Sequence, residues 1–407
     1  MAHPPRGRKR LMGTCLDLLL RLLAPITAAL LLCGPATADE RRVDPESALQ
    51  QIIEEIQANR LEQALGHTDR LIAAFPNFRL AHLIRGDLLM ARVRPIDSIG
   101  GVRGVSSQTL NDLRAEALAR LRGRSQRPLP DQLPRDLLGL APEQRHAVLV
   151  DTAKSRLYVF RNEHGTPRLV ADYYVSQGKA GAEKWREGDK RTPVGVYFVT
   201  SSIPPRELPE FYGSGAFPIN YPNEWDRRLG RDGYGIWLHG SPPDTYARPP
   251  LASDGCVVLA NQDLDALSGF VEPGQTPVVI GQQIDWLSPA QWRSERATVV
   301  HLLEAWRQDW ESRDTARYLR HYARDFRSDE LDLDAWRDRH ERINETKQWA
   351  SVSLAQLSIL RSPGRDNVIV VSFEQNYRSN DLNTTTRMRQ YWHQRDGEWQ
   401  IVYEGPA

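Results

Sequence analysis

Residues 235–259 read Gly235-Ile236-Trp237-Leu238-His239-Gly240-Ser241-Pro242-Pro243-Asp244-Thr245-Tyr246-Ala247-Arg248-Pro249-Pro250-Leu251-Ala252-Ser253-Asp254-Gly255-Cys256-Val257-Val258-Leu259. Two apolar, strand-like runs each meet a turn of small residues. A strand that ends in His239-Gly240 holds an imidazole at a sheet edge, with backbone free for close approach. Gly255 removes a side chain from beside the Cys256 thiol, and its N–H could face a developing oxyanion. A thiol with a pKa of about 8.5 becomes a good nucleophile at neutral pH when a histidine takes its proton. Taken singly, a cysteine is also a common small buried hydrophobe and a histidine a common core or surface residue. The pattern alone leaves both readings open. A metal site would need three or four ligands, and no third stands in register with His239 and Cys256. Gly213-Ser214-Gly215 lacks the spacing of a serine nucleophile elbow.

Outward from this stretch the period is that of strands. Val148–Val150 and Leu157–Phe160 flank Lys154-Ser155 as a hairpin. Tyr173–Val175, Val194–Thr200, Ile236–His239, Cys256–Leu259 and Val278–Ile280 follow, punctuated by turn residues. The block 145–286 reads as mostly β. After Ser288-Pro289 the helical period returns: Val299, Val300, Leu303, Trp306 and Trp310 share a face, and amphipathic segments are expected near 315–326 and 334–347. Strands alternate from Val352 to Tyr403. Helices followed by an antiparallel meander make an α+β unit over 287–407.

Before the β block, Leu49, Ile52, Ile53 and Ile56 fall on one helical face after Asp44-Pro45, with further helices around 61–72 and 80–89. The spacing of Ala64, Pro76, Ala81 and Gly86 resembles one tetratricopeptide-type repeat, too few for a solenoid. The region 39–125 is expected to be a small helical unit, and the proline-marked stretch 126–144 a linker.

The first residues carry Arg6, Arg8, Lys9 and Arg10, then a short apolar run to Leu32 and Ala36-Thr37-Ala38. This is the pattern of a secretory signal peptide, 1–38, cut after Ala38. An uncleaved anchor is the alternative. Of the cysteines Cys15, Cys33 and Cys256, the exported chain would keep Cys256 alone, which excludes an intramolecular disulfide. The 407 residues are enough for two or three domains, and 40% hydrophobic with 26% charged residues is globular composition. Lys and Arg number 53 against 52 Asp and Glu, a formal net charge of +1. That balance offers no footprint for nucleic acid. A mean hydropathy of −0.53 excludes a polytopic membrane protein, and no span is expected after signal cleavage.

Taken together, His239-Gly240, a proline-rich stretch and Ser253-x-Gly255-Cys256 resemble the signature of the YkuD-type L,D-transpeptidases. Val148–Tyr158 resembles the opening hairpin of that family. Glu187-Gly188-Asp189-Lys190-Arg191-Thr192-Pro193-x-Gly195-x-Tyr197 resembles its EGDxRTPxGxY loop, and 216–223 its approach to the site. The element order of 287–407 resembles the NTF2-like (SnoaL-like) cone. The expected fold is therefore multidomain α+β: N-terminal helices, a mostly-β YkuD-type domain and an NTF2-like cone. In the cone, His321, Tyr322, Asp325 and Trp336 either line a pocket or fill the core.

The resemblance implies acyl transfer on peptidoglycan stem peptides in the periplasm or cell envelope. Cys256 would be the nucleophile and His239 the base. The carbonyl of Gly240 would orient the histidine, the N–H groups of Gly255 and Cys256 would form an oxyanion hole, and Ser253 would brace the loop. The terminal D-Ala would leave behind a thioester, with no metal or cofactor. Two positions depart from the family pattern: Asp254 replaces a basic residue or histidine, and Val258 replaces an arginine. Arg191, Arg227, Arg228 or Arg231 would supply the missing charge, with Asp254 beside the site. The Ser-x-Gly-Cys-Val-Val variant joined to an NTF2-like domain resembles a proteobacterial subgroup that includes cell-shape L,D-carboxypeptidases. Transpeptidation leads. The alternatives are trimming of tetrapeptide to tripeptide, release of a wall-linked lipoprotein, or a non-catalytic wall-binding scaffold. The C-terminal domain would contact substrate or a wall-associated protein.

Overall fold

The computed structural model describes residues 44–95, 100, 106–329, 331–364 and 366–407. The expected signal peptide, with Cys15 and Cys33, lies outside the described residues. Among those described, no helix is long and apolar enough to cross a membrane.

Helices Pro45–Gln57, Leu61–Ala74, Arg79–Ala91 and Ser107–Ser125 form the N-terminal region. Leu49, Ile52, Leu71, Leu80, Ile84 and Leu88 bury one face of each of the first three against Phe78 and Ala117. Each such side chain taken out of water contributes roughly 1.5–3 kcal/mol. Ser106 caps the last helix by accepting the Thr109 N–H at 3.1 Å. The buried Arg120 on that helix pairs with Glu116 and Glu46 and lies 4.0 Å over the Tyr174 ring, which ties the helices to the β block.

The β block is built on a five-stranded sheet in the order Thr166–Tyr174, Arg156–Glu163, His146–Asp151, Pro277–Gly281, Gly195–Phe198. The expected hairpin is present, with Ser155 at φ 52° in its turn. His146–Asp151 and Pro277–Gly281 run parallel, Val148 opposite Val278. Both faces of this central pair are covered, so Ala147–Val150 and Val278–Ile280 are apolar without alternation. One face packs Val148, Val150, Val278 and Ile280 against Phe217, Leu238, Val257 and Leu264, which belong to the elements carrying the site. The other packs Leu149, Tyr158, Phe160 and Val279 against Val368, Val370, Tyr391 and Val402 of the C-terminal sheet.

The C-terminal unit opens with the helix Pro289–Glu311, whose Ser288 and Gln291 form a capping box. A six-stranded sheet wraps this helix, in the order Tyr322–Arg327, Glu398–Pro406, Asn383–Arg395, Val368–Ser379, Ala350–Arg361, Leu137–Gly139. Two details differ from the sequence reading. The helix expected across 315–326 stops at Leu319, and Tyr322–Arg327 is a strand, because Tyr322, Ala323 and Phe326 are buried against the sheet edge. The stretch 126–144, expected as a linker, supplies the sixth strand: Leu137 pairs with Leu360 and Gly139 with Ile359. Leu137 and Leu138 are fully buried there.

The aromatic residues fill the cone. Tyr322 and Trp336 belong to its core with Trp306, Tyr318, Phe373 and Trp392. Tyr322 donates its hydroxyl to the buried Glu404 carboxyl at 2.7 Å. His321 bonds Asp309 at 2.9 Å, and Asp325 pairs with Arg395 and Arg228.

Candidate active site

The strand Trp237–His239 is the middle of a three-stranded sheet, between Ala216–Pro218 and Val257–Val258. Parallel pairing sets Val257 opposite Leu238 and Val258 opposite His239. Cys256, at the head of its strand, therefore stands beside the strand that ends in His239. The imidazole is 2% exposed, walled by the rings of Tyr212 at 5.0 Å and Phe211 at 6.0 Å. Its Nδ1 lies 2.7 Å from the Gly240 carbonyl oxygen. A carbonyl only accepts, so Nδ1 carries the hydrogen and Nε2 is the basic nitrogen. The Gly240 backbone is held by its N–H to Tyr212 O at 3.0 Å. A Cβ at Gly240 would collide with Asn261 Oδ1 and reach 3.0 Å from Ser214 N, so glycine is required by close approach. Asn261 staples the turn, accepting the N–H groups of Ser214 and Ser241 at 3.0 Å and donating to Ser241 O at 2.8 Å.

Ser253 braces the cysteine turn. Its Oγ donates to the Cys256 carbonyl at 2.6 Å and accepts the Gly255 N–H at 3.1 Å. Gly255 has φ 132°, and a Cβ there would come 2.8 Å from the Arg191 carbonyl. Thr192, on the loop that carries Arg191, donates Oγ1–H to Gly255 O at 2.8 Å and accepts the Gly178 N–H at 3.0 Å. The loop itself is folded around Asp189, which accepts Lys184 Nζ at 2.8 Å and the N–H groups of Trp185, Arg186 and Arg191. The Gly255 N–H, expected in an oxyanion hole, donates here to Ser253 Oγ, because a serine two residues upstream closes a local side-chain turn. The Cys256 N–H has no such partner among the described residues.

The electrostatics describe a neutral resting pair. Burial pushes His239 down to about 4, with Arg248 adding in the same direction against the pull of the Gly240 carbonyl. Burial pushes the Cys256 thiol up, partly offset by the Trp237 N–H and by the positive charge of Arg248. The thiol donates to Gly235 O at 3.3 Å. Among the described residues no group of three or more His, Cys, Asp and Glu is gathered as a metal would need.

Most of the expected cations are committed elsewhere. Arg228 donates to Asp325 O at 2.7 Å and Val402 O at 3.3 Å, joining the β block to the C-terminal sheet. Arg231 pairs with Asp226 at 3.0 Å and lies 4.8 Å over the Trp185 ring. Arg191 donates to Ala182 O at 2.8 Å. Arg227 is exposed, and Asp254 is an exposed partner of Lys179 at 3.2 Å. Val258, where the family pattern has an arginine, is buried in its strand. The residue missed is Arg248, whose charge reaches both Cys256 and His239. A signal existed: Arg248 is the sole Lys or Arg between His239 and Cys256. Tyr212, which walls His239, lacked any sequence signal because it lies outside both motifs.

Residues 145–280 match the YkuD L,D-transpeptidase catalytic domain, and 298–405 match the Cds6 C-terminal NTF2-like domain. YafK of Escherichia coli (strain K12), named provisionally as an L,D-transpeptidase, is 29% identical over 105 residues, 26% of this chain and 38% of YafK. The chain thus spans well under two thirds of that curated relative. Bd1075 of Bdellovibrio bacteriovorus superposes with a TM-score of 0.62 at 27% identity, over 68% of this chain and 98% of Bd1075. The helical cell shape determining protein Pgp2 of Campylobacter jejuni shares the fold, with a TM-score of 0.55 at 24% identity over 67% of this chain and 95% of Pgp2. The chain therefore carries an L,D-transpeptidase-type catalytic domain joined to an NTF2-like domain.

Proposed function

We propose that this protein is an exported peptidoglycan-modifying cysteine enzyme acting on stem peptides, with L,D-transpeptidation as its reaction. The observation that carries the reading is the fixed imidazole. His239 gives Nδ1–H to the Gly240 carbonyl and keeps Nε2 basic, beside a strand headed by Cys256. In the proposed cycle Nε2 takes the proton from Sγ, and sulfur attacks the amide carbonyl at the L-centre of the third stem residue. The C–S bond forms, the C–N bond to the terminal D-Ala breaks, and the imidazolium returns the proton to the leaving amine. The Cys256 N–H is the donor available to the oxyanion. An acceptor amine then attacks the thioester and restores the thiol. The helices of 39–125 and the NTF2-like domain of 287–407 act as supports for the catalytic block 145–286, the latter also serving substrate or partner contact. Residues 1–38 direct export to the periplasm.

The likeness to a helical cell shape determining protein along both domains favours a second reading, in which water resolves the thioester and tetrapeptide becomes tripeptide. Mass spectrometry of disaccharide-tetrapeptide incubated with the protein, and with Cys256→Ala, tests both. Cross-linked dimers or exchange of D-Ala for an added D-amino acid support transpeptidation. Tripeptide alone supports trimming. Untouched substrate in the wild type would leave a lipoprotein-wall linkage or a binding scaffold in its place.

A further inference from the structure

We propose that Arg248 anchors the C-terminal carboxylate of the acyl-donor peptide, the carboxylate one residue beyond the scissile bond. This rests on the peptidoglycan reading above and gives it a specificity: a donor that ends in a free carboxylate immediately after the leaving residue.

Arg248 lies on the segment that links the two halves of the site. Its guanidinium sits 4.3 Å over the ring of Phe211, which in turn stands 6.0 Å from the His239 ring. It is half-buried and makes no ion pair among the described residues, although its charge reaches Cys256, His239 and Asp254. Arg228, Arg231 and Lys184 are by contrast paired with carboxylates. A half-buried guanidinium without a carboxylate, stacked on an aromatic face and within electrostatic reach of Cys256, is built to receive an anion. The carboxylate of a terminal residue adjoins the amide that the sulfur attacks, so a cation whose charge reaches the thiol is placed to reach that carboxylate as well.

The backbone around Arg248 is fixed in a way a mobile surface loop is not. Pro249 restricts Arg248 to extended conformations. Tyr174 donates its hydroxyl to Arg248 O at 2.9 Å, and the Gln177 N–H donates to Pro250 O at 2.8 Å. Upstream, Tyr246 is seated on the N-terminal helices, 4.5 Å from the Phe78 ring and 5.1 Å from Phe75, and Asn77 Nδ2 donates to Pro243 O at 2.7 Å. Helices remote from the chemistry thereby hold the segment from which Arg248 reaches the site.

The test compares kcat/KM for disaccharide-tetrapeptide and for the same peptide with its terminal D-Ala amidated, in wild type, Arg248→Ala and Arg248→Lys, reading D-Ala or D-alaninamide release by mass spectrometry. Wild type is expected to prefer the free carboxylate by roughly 10- to 100-fold, the range of a charge-assisted hydrogen bond. In Arg248→Ala the preference is expected to disappear, the tetrapeptide losing more than the amide, and Arg248→Lys to recover part of it. Equal loss on both substrates would overturn the assignment and make Arg248 a residue that tunes the thiol. So would a wild type indifferent to amidation, a result that does not depend on any variant folding. A wild type inactive on both peptides would overturn the stem-peptide reading itself, and Arg248 with it.

Discussion

His239 and Gly240 are neighbours in sequence and partners in space: the imidazole of the first donates Nδ1–H to the carbonyl of the second across 2.7 Å. The carbonyl does the work that a carboxylate does in a charged triad, without adding a charge to a buried slot. The arrangement is inseparable from the missing side chain at Gly240. Replacing His239 by Gln is expected to lower turnover of disaccharide-tetrapeptide by about 10²–10⁴-fold, the range of general acid–base catalysis. The thermal midpoint is expected to stay within a few degrees of wild type. Turnover near the wild-type rate would remove His239 from the mechanism.

The resting thiol is expected to alkylate slowly at neutral pH. His239 is held near 4 by burial and the Cys256 thiol is pushed up by burial, so neither group is charged at pH 7. The second-order rate with iodoacetamide should rise about tenfold per pH unit from about pH 6 to 8, tracking the thiolate fraction. A thiolate–imidazolium pair would instead show a plateau across that range, and such a plateau is the outcome that contradicts the neutral pair.

Ser253→Ala removes two bonds at once, the donor to Cys256 O and the acceptor of Gly255 N–H. The released N–H and carbonyl belong to the turn that carries the Cys256 thiol, so its position loosens. The expected result is a fall in kcat of roughly ten- to a hundredfold with little change in KM. Ser253→Thr, which keeps the oxygen, is expected to retain most activity.

Arg228→Ala separates structural cations from substrate-binding ones. The side chain bridges to Asp325 and to two backbone carbonyls across the shared core. Its loss is expected to lower stability by about 1–2 kcal/mol, since these are charge-assisted bonds at a largely covered site. KM for tetrapeptide should be unchanged. A large rise in KM in calorimetrically sound protein would return Arg228 to the substrate site.

Glu404 contributes a pH dependence to the stability of the C-terminal unit. Burial raises its carboxyl from 4.5 to about 7, against the pull of Tyr322 and Gln390. A carboxyl whose folded pKa is raised gives its full contribution below about 4.5 and loses it as pH rises through about 7, because the unfolded chain releases the proton first. Unfolding scans should therefore show the wild-type midpoint falling by a few degrees across that window relative to Glu404→Gln. Parallel curves for the two proteins would rule this out.

What the sequence disclosed followed how local each feature is. The hairpin around Ser155, the strand ending at His239 and the helical face of Trp306 were legible, because each is written in a short period. Ser253, Gly255 and Cys256 formed a motif, yet the side-chain turn that occupies the Gly255 N–H depends on rotamer geometry that a motif does not carry. Arg228 and Arg231 were attractive as nearby cations in the chain, but their carboxylate partners Asp325 and Asp226 decide their role, and Asp325 lies about a hundred residues on. Arg248 stood in plain view between two proline-containing turns. Its value emerges only when Tyr174 and Phe211 converge on it from separate elements.

The strand Leu137–Gly139 lies before the catalytic block in the chain, and its partner Ala350–Arg361 lies after it. The polypeptide therefore cannot be divided at the motif boundaries into two usable proteins. A fragment starting at residue 145 would leave the outer strand of the six-stranded sheet bare and ready to recruit a stranger's backbone. One ending at residue 286 would expose Leu137 and Leu138 to water. During synthesis the early strand waits, unfinished, until the ribosome has delivered residue 361, so the final closure belongs to the completed chain. Anyone expressing the catalytic block alone should expect precipitate, and anyone deleting the C-terminal module should read lost activity as lost architecture.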